Sequence, residues 1–159
     1  MSGEVEAFRV EKRRVAATIE LDSGEKIEGA FLCAPRSARH AGRETVAELL
    51  NATPRFVPFF AGEDSHHALV NKRRIRRVHL GDADLPGDPE ILANFTEPRT
   101  VRLKLESGDT LEGDTRVSAP VGHTRTLDLL NESGSFLHLD AGDDHEIVNL
   151  DFVVSAEDA

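Results

Sequence analysis

The chain has 159 residues, enough for one ordinary domain or two small ones, and its hydrophobic content of 39% is sufficient for a globular core. The formal net charge of −10 argues against general binding to nucleic acid or anionic membranes, and the sequence has neither a membrane-spanning apolar stretch nor a leader-like N-terminus. The single cysteine, Cys33, excludes an intramolecular disulfide and disfavours a Cys-based zinc site, so we expect a cytoplasmic protein.

The first predicted element is a β-hairpin over residues 19–29, where apolar and polar residues alternate on both sides of a Ser-Gly turn. Residues 103–113 repeat this pattern at an offset of 84 positions. The first glycine of each hairpin is expected to adopt the positive φ of the turn, and the second to mark a bend or a close approach in the returning strand. The matched glycines are Gly24 with Gly108, and Gly29 with Gly113.

A short helix is predicted after each hairpin, over residues 44–51 and 125–131, because apolar residues fall three and four positions apart. Each segment ends in Leu-Leu-Asn, which makes the asparagine a C-cap candidate. The chain then matches itself at offsets of 80 and 78 positions, up to closing strands expected over 75–80 and 152–154. The matched residues are Asn51 with Asn131, Phe56 with Phe136, Gly62 with Gly142, and Asn71 with Asn149, and both Phe residues are expected in the core.

These matches occur in the same order along two segments, which indicates a tandem duplication. We expect one repeat over residues 13–80 and a second over 98–156, separated by a linker rich in Gly, Pro and Asp at 81–97. Residues 1–12 are expected to form an extra edge strand or an arm. The predicted fold is mainly β, with two SH3-like small barrels that each contain a short inserted helix and pack with pseudo-twofold symmetry.

The segment 21–29, repeated at 105–113, resembles the opening of the Sm/Lsm-type fold, in which a strand–Gly–strand hairpin carries a second glycine. The Leu-Leu-Asn segment, the following Phe and a late Asn resemble small bacterial Sm-like domains. RNA-binding Sm and Lsm proteins usually place an Asp-x-Asn-like element after the second glycine and an Arg-Gly-type element in a late loop. Residues 30–33 and 114–117 lack the first element, and neither late region has the second. The helix here also interrupts the domain instead of preceding it. The resemblance therefore implies the fold without RNA binding.

A basic run near the end of the first repeat is the sharpest electrostatic feature of the sequence. Read as a strand, it alternates its cations between two faces. It could be a solvated edge strand protected against aggregation, a site for a protein partner, or a contact for RNA phosphates. The candidate residues are Lys72, Arg73, Arg74, Arg76 and Arg77.

Charge is divided unevenly between the two halves of the chain. Residues 1–80 carry 14 Lys and Arg against 11 Asp and Glu, whereas residues 81–159 carry 5 against 18. This polarity favours head-to-tail contact between copies, or attraction of the second half to a basic partner. Ordinary surface drift between duplicated halves would give the same pattern.

Residues 63–67 and 138–146 collect His, Asp and Glu side chains that could hold a divalent ion, but their spacing fits neither a zinc signature nor a Ca²⁺ loop. Polar hairpin loops of this composition are common, so we expect no metal and no other cofactor. Cys33 lies in an apolar run and is expected to be buried. No nucleophile elbow, phosphate loop or GxGxxG fingerprint is present, so we expect no enzyme.

The sequence therefore predicts a non-catalytic protein-interaction or assembly module that binds a protein partner or another copy of itself. The main alternative is an Sm-like RNA-binding protein that uses residues 72–77. A metal or ligand sensor that uses the His/Asp loops is a third hypothesis. No membrane association is expected.

Overall fold

The computed structural model describes residues 12–37, 42–62, 67–81, 96–118, 126–142 and 144–159. The described part of the first half contains β1 Arg13–Leu21, β2 Lys26–Cys33, α1 Val46–Asn51, β3 Phe56–Ala61, β4 His67–Asn71, the 3-10 turn η1 Lys72–Arg74, and β5 Ile75–Leu80. The second half contains β6 Thr96–Leu105, β7 Thr110–Ser118, α2 Thr126–Glu132, β8 Phe136–Ala141, β9 Asp144–Asn149, the 3-10 turn η2 Leu150–Phe152, and β10 Val153–Asp158. None of the helices in these ranges is long and apolar enough to cross a membrane.

The two predicted hairpins are present as β1–β2 and β6–β7, and their turns have the same geometry. Gly24 has φ +90° and Gly108 has φ +94°, a left-handed conformation that residues with a Cβ atom rarely adopt. The amide of Asp22 donates to the carbonyl of Arg74 across the sheet, and the amide of Glu106 donates to Phe152 in the same way, each at 2.9 Å or less. Turn geometry and hydrogen bonding thus agree at matched positions of the two halves.

Both predicted helices are present, and α1 begins where its sequence favours it. Thr45 is the N-cap, since its hydroxyl accepts a hydrogen bond from the amide of Glu48. The expectation that Asn51 caps the C-terminus is wrong, because the helix includes Asn51 and Ala52 is the cap.

The ten strands are antiparallel and form one open sheet, in the order β10-β6-β7-β8-β9-β5-β1-β2-β3-β4. The predicted mainly β class is therefore confirmed. Within each half the order is the same, with the fifth strand beside the first and the fourth strand at the far side. The hydrogen-bonded order contains no closed ring among the described strands.

The two halves join through β5 and β9, and this pairing corrects one expectation. A twofold axis at the contact would bring the same strand of each half together. The contact instead joins the fifth strand of the first half to the fourth strand of the second half. The expected pseudo-twofold packing is therefore wrong at this contact, which is head to tail.

Two hydrophobic cores stabilise the sheet, and the first of them draws on both halves. It includes Phe31 and Phe59, whose rings meet edge to face at 4.9 Å, the buried Cys33, and two residues of the second half, Phe136 and Ile147. The second core contains residues of β6, β8, β9 and α2. The burial expected for Cys33 and Phe136 is confirmed.

Phe56 does not lie in a core, contrary to the sequence-based expectation, and 52% of its surface is exposed. Phe136, at the matched position, is 4% exposed because the first half covers it. No described strand lies beyond β4 to cover Phe56 in the same way. All but residue 12 of the expected edge strand or arm at 1–12, and most of the expected linker at 81–97, lie outside the described residues.

Candidate functional site

The contact between β5 and β9, called the junction below, is built from backbone pairs that run from Arg77 opposite Val148 to Leu80 opposite His145. Ile147, opposite Val78, is fully buried and belongs to the first core. The junction is therefore a continuous antiparallel ladder with apolar contacts beneath it.

Side chains add hydrogen bonds across the junction. The buried amide of Asn149 donates to the carbonyl of Ile75 at 2.9 Å. Asn51 donates to the carbonyl of Phe136 at 3.0 Å and accepts from its amide at 2.8 Å. The side-chain amide of Asn51 thus pairs with the backbone of β8 as a neighbouring strand would.

A contact between an imidazole and two carboxylates lies on the exposed side of the junction. The Nδ1 atom of His79 on β5 lies 2.8 Å from a carboxylate oxygen of Glu146, and its Nε2 atom lies 3.6 Å from Asp144, both on β9. Surface pairs of this kind add little stability in water. They do place a β5 imidazole beside β9 carboxylates.

The two outer strands of the sheet, β4 and β10, each pair on one side among the described strands. We call them the free edges. β4 has the same place in the first half as β9 has in the second, yet its side chains are far more exposed. Leu69 is 64% exposed, whereas Ile147 at the matched position is fully buried. On β10, Val154 is 65% exposed.

The five cations singled out in the sequence do not form one surface. Lys72, Arg73 and Arg74 lie in the 3-10 turn η1 and not in a strand, while Arg76 and Arg77 lie in β5. β5 is paired on both sides, so the interpretation of this run as an edge strand is wrong.

Three of the five cations are engaged by acids near the β1–β2 turn. Arg77 donates to Glu20 at 2.9 Å, and Arg76 lies 3.8 Å from the same carboxylate. Arg74 pairs with Asp22 at 2.9 Å. These pairs leave less positive charge for an external anion than the sequence suggests.

Lys72 is buried, with 6% of its surface exposed. Its ammonium donates to the carbonyls of Leu49 at 2.7 Å and Ala52 at 3.2 Å, at the C-terminal end of α1. Burial lowers the pKa of Lys72 from its ordinary value, because desolvation disfavours the charged form. Among the described residues, the Lys72 ammonium is thus hydrogen-bonded to carbonyl oxygens and to no carboxylate.

A cavity of about 700 Å³ lies beside the junction, between the end of α1, the turn η1 and the start of β8. We call it the junction cavity. Three cations line it, Arg55, Lys72 and Arg73, together with one carboxylate, that of Asp151. The side chains of Arg55 and Arg73 are exposed and have no hydrogen-bond or ion-pair partner among the described residues.

The His/Asp loops are described in part, since residues 63–66 and 143 lie outside the described ranges. His138 Nε2 and His145 Nδ1 lie 3.2 Å apart, with the rings edge to face. Among the side chains that the structure describes, no group of three or more His, Cys, Asp and Glu could hold a metal ion.

Sequence reasoning missed the groups that matter most at the junction. Asn51 was expected to cap its helix, and Asn149 was singled out only as a matched position of the repeat; Asn149 accepts from the amide of Asp151. Their bonds to the other half depend on strand order, which local sequence does not contain. The place of Arg55 in the cavity could have been suspected, because the matched residue in the second half is Ser135.

Comparison with known proteins identifies no relative: no family model, no curated protein and no solved structure matches the chain.

Proposed function

We propose that this protein is a non-catalytic assembly module whose copies associate head to tail, β10 of one copy pairing with β4 of the next. The observation that carries the proposal is the junction, where the fifth strand of one half already pairs with the fourth strand of the other. The free edges are the other fifth strand, β10, and the other fourth strand, β4, and neither has such a partner among the described strands. A heterologous contact of this type repeats from copy to copy.

The proposed register follows from the junction by matching positions. Residues 145–149 read His-Glu-Ile-Val-Asn, and residues 67–71 read His-Ala-Leu-Val-Asn. If β10 of one copy pairs with β4 of the next in the register of β5 with β9, Ala156 lies opposite Leu69, and Asp158 lies opposite His67. Unpaired edge strands with exposed apolar side chains favour strand addition of this kind.

Side chains at the free edges support the same contact. In the proposed contact, Leu69 would take the position that Ile147 has at the junction and would become buried. Phe56 would take the position of Phe136. The amide of Asn71 would donate to the carbonyl of Val153, as Asn149 donates to Ile75 within the chain. Pro54 stands at the position of Gly134, where an added Cβ meets Asn51. The proposed contact therefore rests on the strands and not on a copy of the Asn51 bonds.

Charge also favours the pairing of unlike halves. The first half has a balance of +3 and the second a balance of −13, counted over residues 1–80 and 81–159. Contact between β4 of one copy and β10 of another brings the positive half beside the negative half. Such complementarity accelerates association and disfavours contact between two acidic halves.

We also propose that the chain is a tandem duplication of an Sm-like unit. Support comes from the shared order of five strands with a helix between the second and third, and from matched turns at Gly24 and Gly108. Each half also uses an Asn to start its 3-10 turn, Asn71 in the first and Asn149 in the second.

The RNA-binding alternative has less support, because Arg74, Arg76 and Arg77 already pair with acids of the same half.

The test is the mass of the protein in solution, measured by size-exclusion chromatography with light scattering over a range of concentrations. Wild type should form species larger than one chain, in proportions that rise with concentration. Leu69→Asp should weaken association at least about tenfold, since it places a carboxylate against an apolar strand. Leu69 is exposed in the single chain, so the substitution should leave folding intact.

Ala16→Asp is the control, because Ala16 is exposed but lies on β1, which is paired with β5 and β2 and is not a free edge. It should associate as wild type does. A wild-type protein that stays a single chain at every concentration, or association that survives Leu69→Asp, would overturn the proposal.

A further inference from the structure

The junction cavity has the size of a small-molecule site. Its volume of about 700 Å³ falls within the range of protein pockets that hold such ligands. Residues from both halves form its walls, with Lys72 and Arg73 from η1 and Ser135 from the second half. The cavity lies within one chain, so it exists independently of any association between copies.

The cations of this cavity differ from the paired cations nearby. Arg55 and Arg73 present guanidinium groups without a described partner, whereas Arg74, Arg76 and Arg77 have carboxylates beside them. Lys72 adds a buried ammonium that donates to the carbonyls of Leu49 and Ala52. Asp151 offsets part of the charge and leaves the lining with an excess of two positive charges.

The three cations are also specific to the first half. Ser135, Leu150 and Asp151 occupy the matched positions of the second half, although the strands and turns around them correspond. The amide of Lys72 donates to the carbonyl of Arg55, and the amide of Leu150 donates to Ser135 in the same way. Lys72 has a local role, because its ammonium donates to carbonyls at the end of α1. The exposed side chains of Arg55 and Arg73 make no such bond among the described residues, and the second half forms the same turn without them.

We propose that the junction cavity binds a small organic phosphate of mononucleotide size, with the exposed Arg55 and Arg73 pairing with phosphate oxygens and the buried Lys72 supplying charge from the wall. Guanidinium groups suit this ligand because they donate two parallel hydrogen bonds to phosphate oxygens. Burial lowers the pKa of Lys72 from its ordinary value, and a phosphate beside the ammonium would favour its charged form. A long RNA fits less well, because the cations that would extend the track are already paired.

Isothermal titration calorimetry with AMP tests the proposal, with inorganic phosphate and a short poly(A) oligomer as additional probes. AMP should bind wild type, and Arg55→Glu and Arg73→Glu should each weaken that binding at least about tenfold. Arg74→Glu is the matched control, since Arg74 is in the same turn but does not line the cavity. Its affinity for AMP should stay within about twofold of wild type.

Leu69→Asp should bind AMP as wild type does, which separates this inference from the proposed association. The absence of AMP binding would overturn the inference, as would an Arg74→Glu variant that loses as much affinity as Arg73→Glu. Binding of the poly(A) oligomer without binding of AMP would also overturn it, in favour of a nucleic-acid surface.

Discussion

At the scale of residues, Asn149 and Asn71 show how one side chain gains a second role when a strand acquires a neighbour. Both accept a hydrogen bond from the amide two positions later and so begin a 3-10 turn. Asn149 also donates to the carbonyl of Ile75, and it is 1% exposed. Among the described strands β4 pairs only with β3, so Asn71 has no second strand to which its side-chain amide could donate.

Asn149→Ala should therefore destabilise the chain more than Asn71→Ala does. Loss of Asn149 removes two hydrogen bonds and leaves a buried carbonyl unpaired, at a cost of about 1–3 kcal/mol. Loss of Asn71 removes one exposed bond, at about 0.5–1.5 kcal/mol or less. Urea unfolding at low protein concentration, where copies do not associate, measures both free energies. Equal losses would contradict the role of Asn149 at the junction.

At the scale of elements, Gly29 and Gly113 lie at matched points of β2 and β7 but differ in how closely the next strand approaches. A Cβ atom at Gly29 would overlap the carbonyl oxygen of Phe60 and crowd the ring of Phe59. A Cβ atom at Gly113 would lie 3.0 Å from the carbonyl oxygen of Asp140. At these glycines, β2 and β3 of the first half thus approach each other more closely than β7 and β8 of the second half do.

Gly29→Ala should lower the free energy of unfolding by about 1–3 kcal/mol, because the backbone of β3 must move to relieve the overlap. Gly113→Ala should cost less, since a shift of a few tenths of an ångström relieves the contact. Thermal and urea unfolding of the two variants measure the difference. A larger loss of stability for Gly113→Ala than for Gly29→Ala would contradict this description of the two strand contacts.

Elements defined by local patterns could be predicted from the sequence. Alternation around Gly24 and Gly108 identified the hairpins, and the spacing of apolar residues before Asn51 identified α1. The turn at residues 72–74 was wrongly predicted as a strand. A run of cations has no pattern of apolar residues that distinguishes a turn from a strand, and the Asn71 side chain that begins the turn is a weak signal on its own. The neighbour of each strand could not be predicted, since β4 and β9 have nearly the same sequence and differ in burial through their position in the sheet.

At the scale of the whole molecule, the charges of the two halves should make association sensitive to salt. Ions screen charges separated by more than the Debye length, which falls from about 10 Å at 0.1 M salt to about 3 Å at 1 M. The association constant should therefore fall several-fold between about 50 mM and about 500 mM NaCl. Sedimentation velocity measures it at each concentration. Association that strengthens with salt would show that apolar contacts alone hold copies together.

The junction inside the chain also determines the sequence of units in any assembly that extends it. Each first-half unit would have a second-half unit on both sides, one from its own chain and one from the next copy. Features confined to the first half, such as the cations of the junction cavity, would then recur at every second position. Covalent fusion thereby enforces alternation, which two separate chains of such similar units would achieve only by discriminating between nearly identical edges.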